Sequence, residues 1–160
     1  MTYPSHSGAR LAVLRPDQGH ESLSVGTTTA RLVATGTVTQ GDYGLFRWEM
    51  SGAAGGADPH YHTTFAEAFY VLSGRVELYD GSGWTEGGPG DFLHVPRNGI
   101  HGFANRSRKP ASMLILFVPG PPREEYFREL GELIASGRQL SDSERAAFLA
   151  RHDQYSAPAG

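Results

Sequence analysis

From Tyr43 to Val118 the chain is a succession of short apolar segments, each closed by a turn signal, a pattern that suits many brief strands. Tyr43 to Met50 alternates, with Phe46, Trp48 and Met50 on one face and Leu45, Arg47 and Glu49 on the other, as a half-buried strand requires. Further strands are predicted at Glu67 to Leu72, Arg75 to Tyr79, Asp91 to Val95, His101 to Asn105 and Ala111 to Val118. Ser73-Gly74, Asp80-Gly81-Ser82-Gly83 and Asn98-Gly99 supply the turns between them. Upstream, Leu11 to Leu14 and Arg31 to Val38 are also β-leaning. Strands this short at this spacing predict an antiparallel sandwich or barrel.

After Pro119-Gly120-Pro121-Pro122 the period changes. Phe127, Leu130 and Ile134 fall on one helical stripe that Pro122 opens and Gly137 closes. Ser141-Asp142-Ser143-Glu144 fits a capping box, predicting a second helix that continues through Phe148, Leu149 and His152. The expected organisation is an all-β barrel domain over residues 1–120, with its core motifs at 55–105, and a helical extension over 121–155 that packs against the barrel or a partner subunit.

Composition narrows the chemistry. The 160 residues carry 14 basic and 17 acidic groups and no Lys/Arg cluster, which leaves no electrostatic footprint for nucleic acid or an anionic membrane. The longest apolar run, Met113 to Val118, is far too short to span a bilayer, and the first residues hold no apolar signal core, so a cytoplasmic location is expected. With no Cys at all, any metal must be held by His and carboxylate.

Four of the seven histidines, His60, His62, His94 and His101, lie amid the strand signals. A His-x-His pair by itself is weak, since roughly a quarter of chains with this His content would show one by chance, and two solvent-facing imidazoles would satisfy it. On a strand, however, His60 and His62 project from one face. Glu67 cannot share that face on a continuous strand, but a turn through Thr63-Thr64-Phe65-Ala66 would bring it back beside them. His101 lies on a later strand, and in a barrel non-adjacent strands converge on one interior point. For His94 a half-buried strand position is expected. Phe46, Trp48, Phe69, Phe103, Met113 and Ile115 either line a small-molecule pocket or fill the core.

At these positions the sequence resembles the cupin superfamily, in both of its signature motifs. The first is read as Gly55, His60, His62, Glu67 and Gly74, with the leading Gly one residue closer to His60 than usual. The second is read as Gly90, Pro96, Asn98, His101 and Asn105, with Asn98 where the family has Gly, a mild change because Asn tolerates the left-handed region. The resemblance implies a double-stranded β-helix, or jelly-roll barrel, followed by the two C-terminal helices. It also implies that His60, His62, Glu67 and His101 are ligands of one divalent metal ion. Three imidazoles and a carboxylate suit Fe, Mn, Ni, Co or Zn without choosing among them.

Within the superfamily, His60-Tyr61-His62, Glu67 to Gly74 and Gly90 to Pro96 look most like the small, single-domain, conserved-barrel group that is quercetin-dioxygenase-like. That likeness implies a mononuclear metal-dependent dioxygenase acting on a small aromatic or enol-type substrate, with Glu67 as a catalytic base. The same motif pair serves non-redox isomerases, cyclases, lyases and decarboxylases, and cupins that bind or sense small molecules without catalysis. A homodimer, common among cupins, is expected through the N-terminal strands or the C-terminal helices, because a small β barrel has edges to cover.

Overall fold

The computed structural model describes residues 20–53 and 55–158. The expected strand at Leu11 to Leu14 lies outside them. Eleven strands and two helices follow one another as β1 (Ser22–Val25), β2 (Thr28–Ala34), β3 (Gly44–Met50), β4 (Gly55–Tyr61), β5 (Ala66–Ser73), β6 (Val76–Tyr79), β7 (Trp84–Gly87), β8 (Phe92–Val95), β9 (His101–Asn105), β10 (Ala111–Val118), α1 (Arg123–Ser136), α2 (Asp142–Arg151) and β11 (Tyr155–Ser156). They form two antiparallel sheets, β1-β2-β3-β10-β5-β8 and β11-β4-β9-β6-β7, packed face to face as a jelly roll.

The alternation of Tyr43 to Met50 becomes β3, where Phe46, Trp48 and Met50 are buried between the sheets. Beside it, β10 contributes Met113, Ile115 and Phe117, and β5 contributes Phe69 and Val71, completing the core. The strand expected at Arg31 to Val38 is instead Thr28–Ala34, because pairing with β3 begins at Thr28 opposite Met50 and ends at Ala34 opposite Leu45.

α1 crosses β1, and its ring at Phe127 packs against Trp48, Phe46 and Phe117 at centroid distances of 4.9, 5.7 and 6.4 Å. Gly131, an unfavourable residue inside a helix, marks the closest approach: a Cβ there would stand 2.2 Å from the Ser24 carbonyl oxygen. The capping box of α2 forms as its sequence predicts, with Ser141 and Glu144 each satisfying the other's backbone N–H. Beyond α2 the chain returns to the barrel, and β11 pairs with β4, Tyr155 opposite Tyr61 and Ser156 opposite His60. No helix among the described residues is long and apolar enough to cross a membrane.

Candidate metal centre

β4 and β9 pair in one sheet with His60 directly opposite His101, so their rings meet at 4.3 Å. His62 follows the end of β4, and the turn through Thr63 to Phe65 then carries the chain across the sandwich into β5 of the other sheet. That crossing brings Glu67 back to the two imidazoles. The ligand atoms of His60, His62, Glu67 and His101 all lie within 4.8 Å of one another, and all four residues are buried. His94, expected to be half-buried, is exposed on β8.

The tautomers are fixed by backbone carbonyls, which can only accept. Nδ1 of His60 donates to Asp58 O (2.7 Å), Nδ1 of His62 to Asp153 O (2.6 Å) and Nδ1 of His101 to Gly99 O (3.0 Å). All three Nε2 atoms are therefore left for the interior. Nε2 of His62 is buried without a hydrogen-bond partner although Glu67 Oε2 lies 3.2 Å away, and Nε2 of His101 lies 2.6 Å from the same oxygen. A lone pair on His62 facing a carboxylate oxygen needs a cation between them, and a divalent ion fits this donor set.

Electrostatics agree. Burial pushes the His60 imidazole down to about 3, reinforced by the charge at His101, and keeps it neutral as a ligand must be. Burial opposes ionisation of Glu67, but the hydrogen bond with His101 and the nearness of the His62 imidazole outweigh it and hold the carboxyl below its usual range. For His101 burial is outweighed by the hydrogen bond and charge of Glu67, and its pKa is raised, so an ion entering here takes the place of the proton that Nε2 shares with Glu67.

Turn residues shape the surrounding backbone. Asn98, at φ +65°, takes the left-handed conformation its position in the second motif requires, and its N–H donates to His62 O at 2.7 Å. Of the two glycines that open β4, Gly56 is the one that must lack a side chain, since a Cβ there would stand 2.1 Å from Phe103 O. Asn105 is a turn organiser: its amide donates to Lys109 O and Ser51 O, and its carbonyl accepts from Ser107.

Beside the four residues lies a cavity of about 240 Å³. Trp48, Phe103 and Ile115 line it together with His60 and Glu67, whereas Phe46, Phe69 and Met113 are buried in the core outside its lining. Sequence reasoning missed the other wall, made by Arg123, Tyr126 and Phe127 of α1 and by Gln154. One signal was present: Arg123 opens a helix whose first turn otherwise carries Glu124 and Glu125, the end where a cation opposes the helix dipole. Asp153 was missed as well. Beyond its carbonyl bond to His62, its carboxylate accepts from the backbone N–H and hydroxyl of both Thr63 and Thr64, clamping the C-terminal segment to the ligand loop.

Asp153→Ala should release that clamp and weaken binding of a divalent ion roughly 10- to 100-fold, as measured by competition with a chromophoric chelator. Burial of the Asp153 carboxyl opposes ionisation, but the Thr63 and Thr64 bonds prevail and lower its pKa from the ordinary 3.8. Its stabilising contribution is thus complete above 3.8 and is lost as pH falls through the lower folded value. The stability gap between wild type and variant should close in acid; a gap that persists into strong acid would mean the carboxylate is not what holds the segment.

Two antiparallel sheets enclosing three imidazoles and one carboxylate define a jelly roll of the double-stranded β-helix class with a candidate metal centre. Residues 46–117 match the model of the cupin domain, Cupin_2. The chain belongs to the cupin superfamily. It is 35% identical over 130 residues to quercetin 2,3-dioxygenase of Bacillus subtilis (strain 168), a match covering 78% of this chain and 36% of that enzyme. The chain thus spans about a third of the length of this curated relative. Among solved structures it is similar to KdgF from Halomonas sp. (20% identity, 71% of this chain and 99% of that one, TM-score 0.61). It is also similar to the polyketide cyclase RemF from Streptomyces resistomycificus (23% identity, 70% and 82%, TM-score 0.60). These two likenesses establish the fold.

Proposed function

We propose that this chain is a mononuclear metal-dependent dioxygenase that acts on a small aromatic or enol-type substrate, with His60, His62, Glu67 and His101 holding one divalent ion of Fe, Mn, Ni, Co or Zn. The observation that supports it most is the buried donor set, with three Nε2 atoms freed by Nδ1 bonds to carbonyls. The similarity to quercetin 2,3-dioxygenase favours oxygenase chemistry among the reactions this fold supports.

When bound, the ion supplies a Lewis acid and, for a redox-active metal, a path for electrons to dioxygen. The chain's residues do the rest. Trp48, Phe103 and Ile115 wall the cavity with apolar surface and keep water from the reacting groups. Glu67, ionised and at the cavity wall, takes the proton of a substrate hydroxyl on a carboxylate oxygen. The cytoplasmic location, the barrel over 1–120 with its extension over 121–155, and the homodimer belong to the same proposal.

Glu67→Gln keeps the shape and removes the basicity, so turnover should fall about 100-fold or more while most of the metal is retained. Equal loss of both would make Glu67 a structural ligand only. Turnover of the wild type should stop under nitrogen; turnover that continues would replace the oxygenase with a non-redox cupin enzyme and leave the metal centre untouched.

A further inference from the structure

We propose that the cavity beside the metal centre takes a small carboxylate-bearing ligand, with Arg123 and Trp48 as its anion-binding donors; this names the substrate class of the proposed enzyme and rests on that assignment of the site.

Arg123 is a buried cation, 4% exposed, and among the described residues it forms no ion pair with any carboxylate. Its hydrogen bonds go to neutral acceptors, NH1 to His152 O at 3.1 Å and NH2 to Gln154 Oε1 at 3.0 Å. The Tyr126 ring, 4.1 Å from the guanidinium carbon, and the Phe127 ring at 5.2 Å soften the burial without supplying a counter-charge. Among the described residues Nε of Arg123, also buried, has no hydrogen-bond partner.

Trp48 repeats the pattern on the same cavity. Its Nε1, which can only donate, is buried without an acceptor, and the residue is 4% exposed. Buried donors of this kind are normally satisfied, and leaving them so is costly. Two residues that line one cavity, each with a buried donor left unpaired among the described residues, call for a ligand that brings acceptors.

Charge selects among acceptors. Around the cavity Glu67 and Asp58 contribute two negative charges and Arg123 and Arg145 two positive, so a bound divalent ion leaves the pocket with a net excess of two positive charges. An anionic ligand offsets that excess; a neutral phenol does not. Two free donor groups match the two oxygens of a carboxylate better than the larger oxygen set of a phosphate. The cavity, about 240 Å³, is below the range of about 300–1,000 Å³ typical of drug-sized ligands, and its rings at Trp48, Phe103 and Phe127 suit a one-ring acid. A tether between α1 and the C-terminal segment accounts for the two terminal nitrogens of Arg123, but not for Nε or for Trp48.

The test is calorimetric titration of the full chain with benzoate and with benzamide, which share a shape and differ in charge, in metal-free and zinc-loaded protein. Benzoate should bind about 10- to 100-fold more tightly than benzamide in the zinc-loaded form, and by a smaller factor, set by the unpaired donors alone, in the metal-free form. Arg123→Met, checked for an unchanged thermal midpoint, should abolish the preference, and Arg123→Lys should keep part of it. Equal affinities, no benzoate binding at millimolar concentration, or a preference that survives in folded Arg123→Met would each overturn the proposal. If Arg123→Met fails to fold, the wild-type ratio and the Lys variant decide. Zinc that does not bind would overturn the metal centre alone, because the metal-free titration still reads the Arg123 pocket.

Discussion

Replacing His62 and His101 together with Ala is expected to reduce the metal content of the purified protein from close to one ion per chain to near zero, measured by plasma emission after exhaustive dialysis. The pair supplies two of the four donors, and the remaining two, His60 and Glu67, come from different sheets. A second loss compounds the first. His101 and His62 stand 2.6 and 3.2 Å from Glu67 Oε2, and without them a carboxylate only 6% exposed is left with no positive or donating neighbour from this set. Stranding a buried charge in this way costs about 3–5 kcal/mol. At roughly 2–4 °C per kcal/mol for a chain of this size, the thermal midpoint should drop by about 6–20 °C even in metal-free protein.

The two effects separate cleanly. Adding Glu67→Gln to the double variant removes the stranded charge and should restore much of the midpoint while the metal stays absent. His60→Ala removes a donor that forms no ion pair with Glu67, so it should lower metal affinity with a smaller penalty in metal-free stability. Full metal occupancy in the double variant would show that these residues are not the ligands.

The barrel was legible where burial follows a period of two. Phe46, Trp48 and Met50 alternate in the sequence because β3 has one face in the core, and Ser141 with Glu144 announces α2 because a capping box is a local device. β4 was legible only through its histidines. Gly55, Gly56, Asp58 and Pro59 are poor strand formers, and this segment is a strand because β9 and β11 pair with it, with an irregular register between Ala57 and His60. β7, whose Trp84, Thr85 and Glu86 are all exposed and show no buried alternation, and β11, with two residues, carry too little pattern to register.

The site divides in the same way. His60, His62, Glu67 and His101 could be grouped because their spacings match a motif whose turns are short and local. Asp153 and Arg123 could not, since nothing in the sequence ties Asp153 to His62, 91 positions away, and their contact exists only after the C-terminal segment has docked. Phe46, Phe69 and Met113 illustrate the converse: an apolar residue on an inward face can meet the core or the cavity, and hydropathy does not distinguish the two.

A chain shortened to end at Gly120 is expected to lose solubility, or to survive only with a sharply lowered thermal midpoint and weakened metal binding. Removing α1 uncovers Phe46, Trp48 and Phe117, on which Phe127 now packs, and deletes two residues, Tyr126 and Phe127, that are 5% and 7% exposed. Losing a buried aromatic side chain typically costs about 3–5 kcal/mol, so these two alone approach the whole stability of an ordinary domain, about 5–15 kcal/mol. Removing β11 also bares the edge of β4, the strand that carries His60, and an open edge invites aggregation. A milder cut after His152 separates packing from positioning. It keeps both helices but removes β11 and the Asp153 carbonyl that holds the His62 Nδ1 proton, so it should leave the protein folded, more prone to associate along the bared β4 edge, and weaken the metal roughly 10- to 100-fold. Light scattering on both shortened chains then reads the proposed homodimer. A chain ending at Gly120 that is monodisperse, with unchanged mass ratio, midpoint and metal affinity, would show that the helices cover neither barrel nor partner.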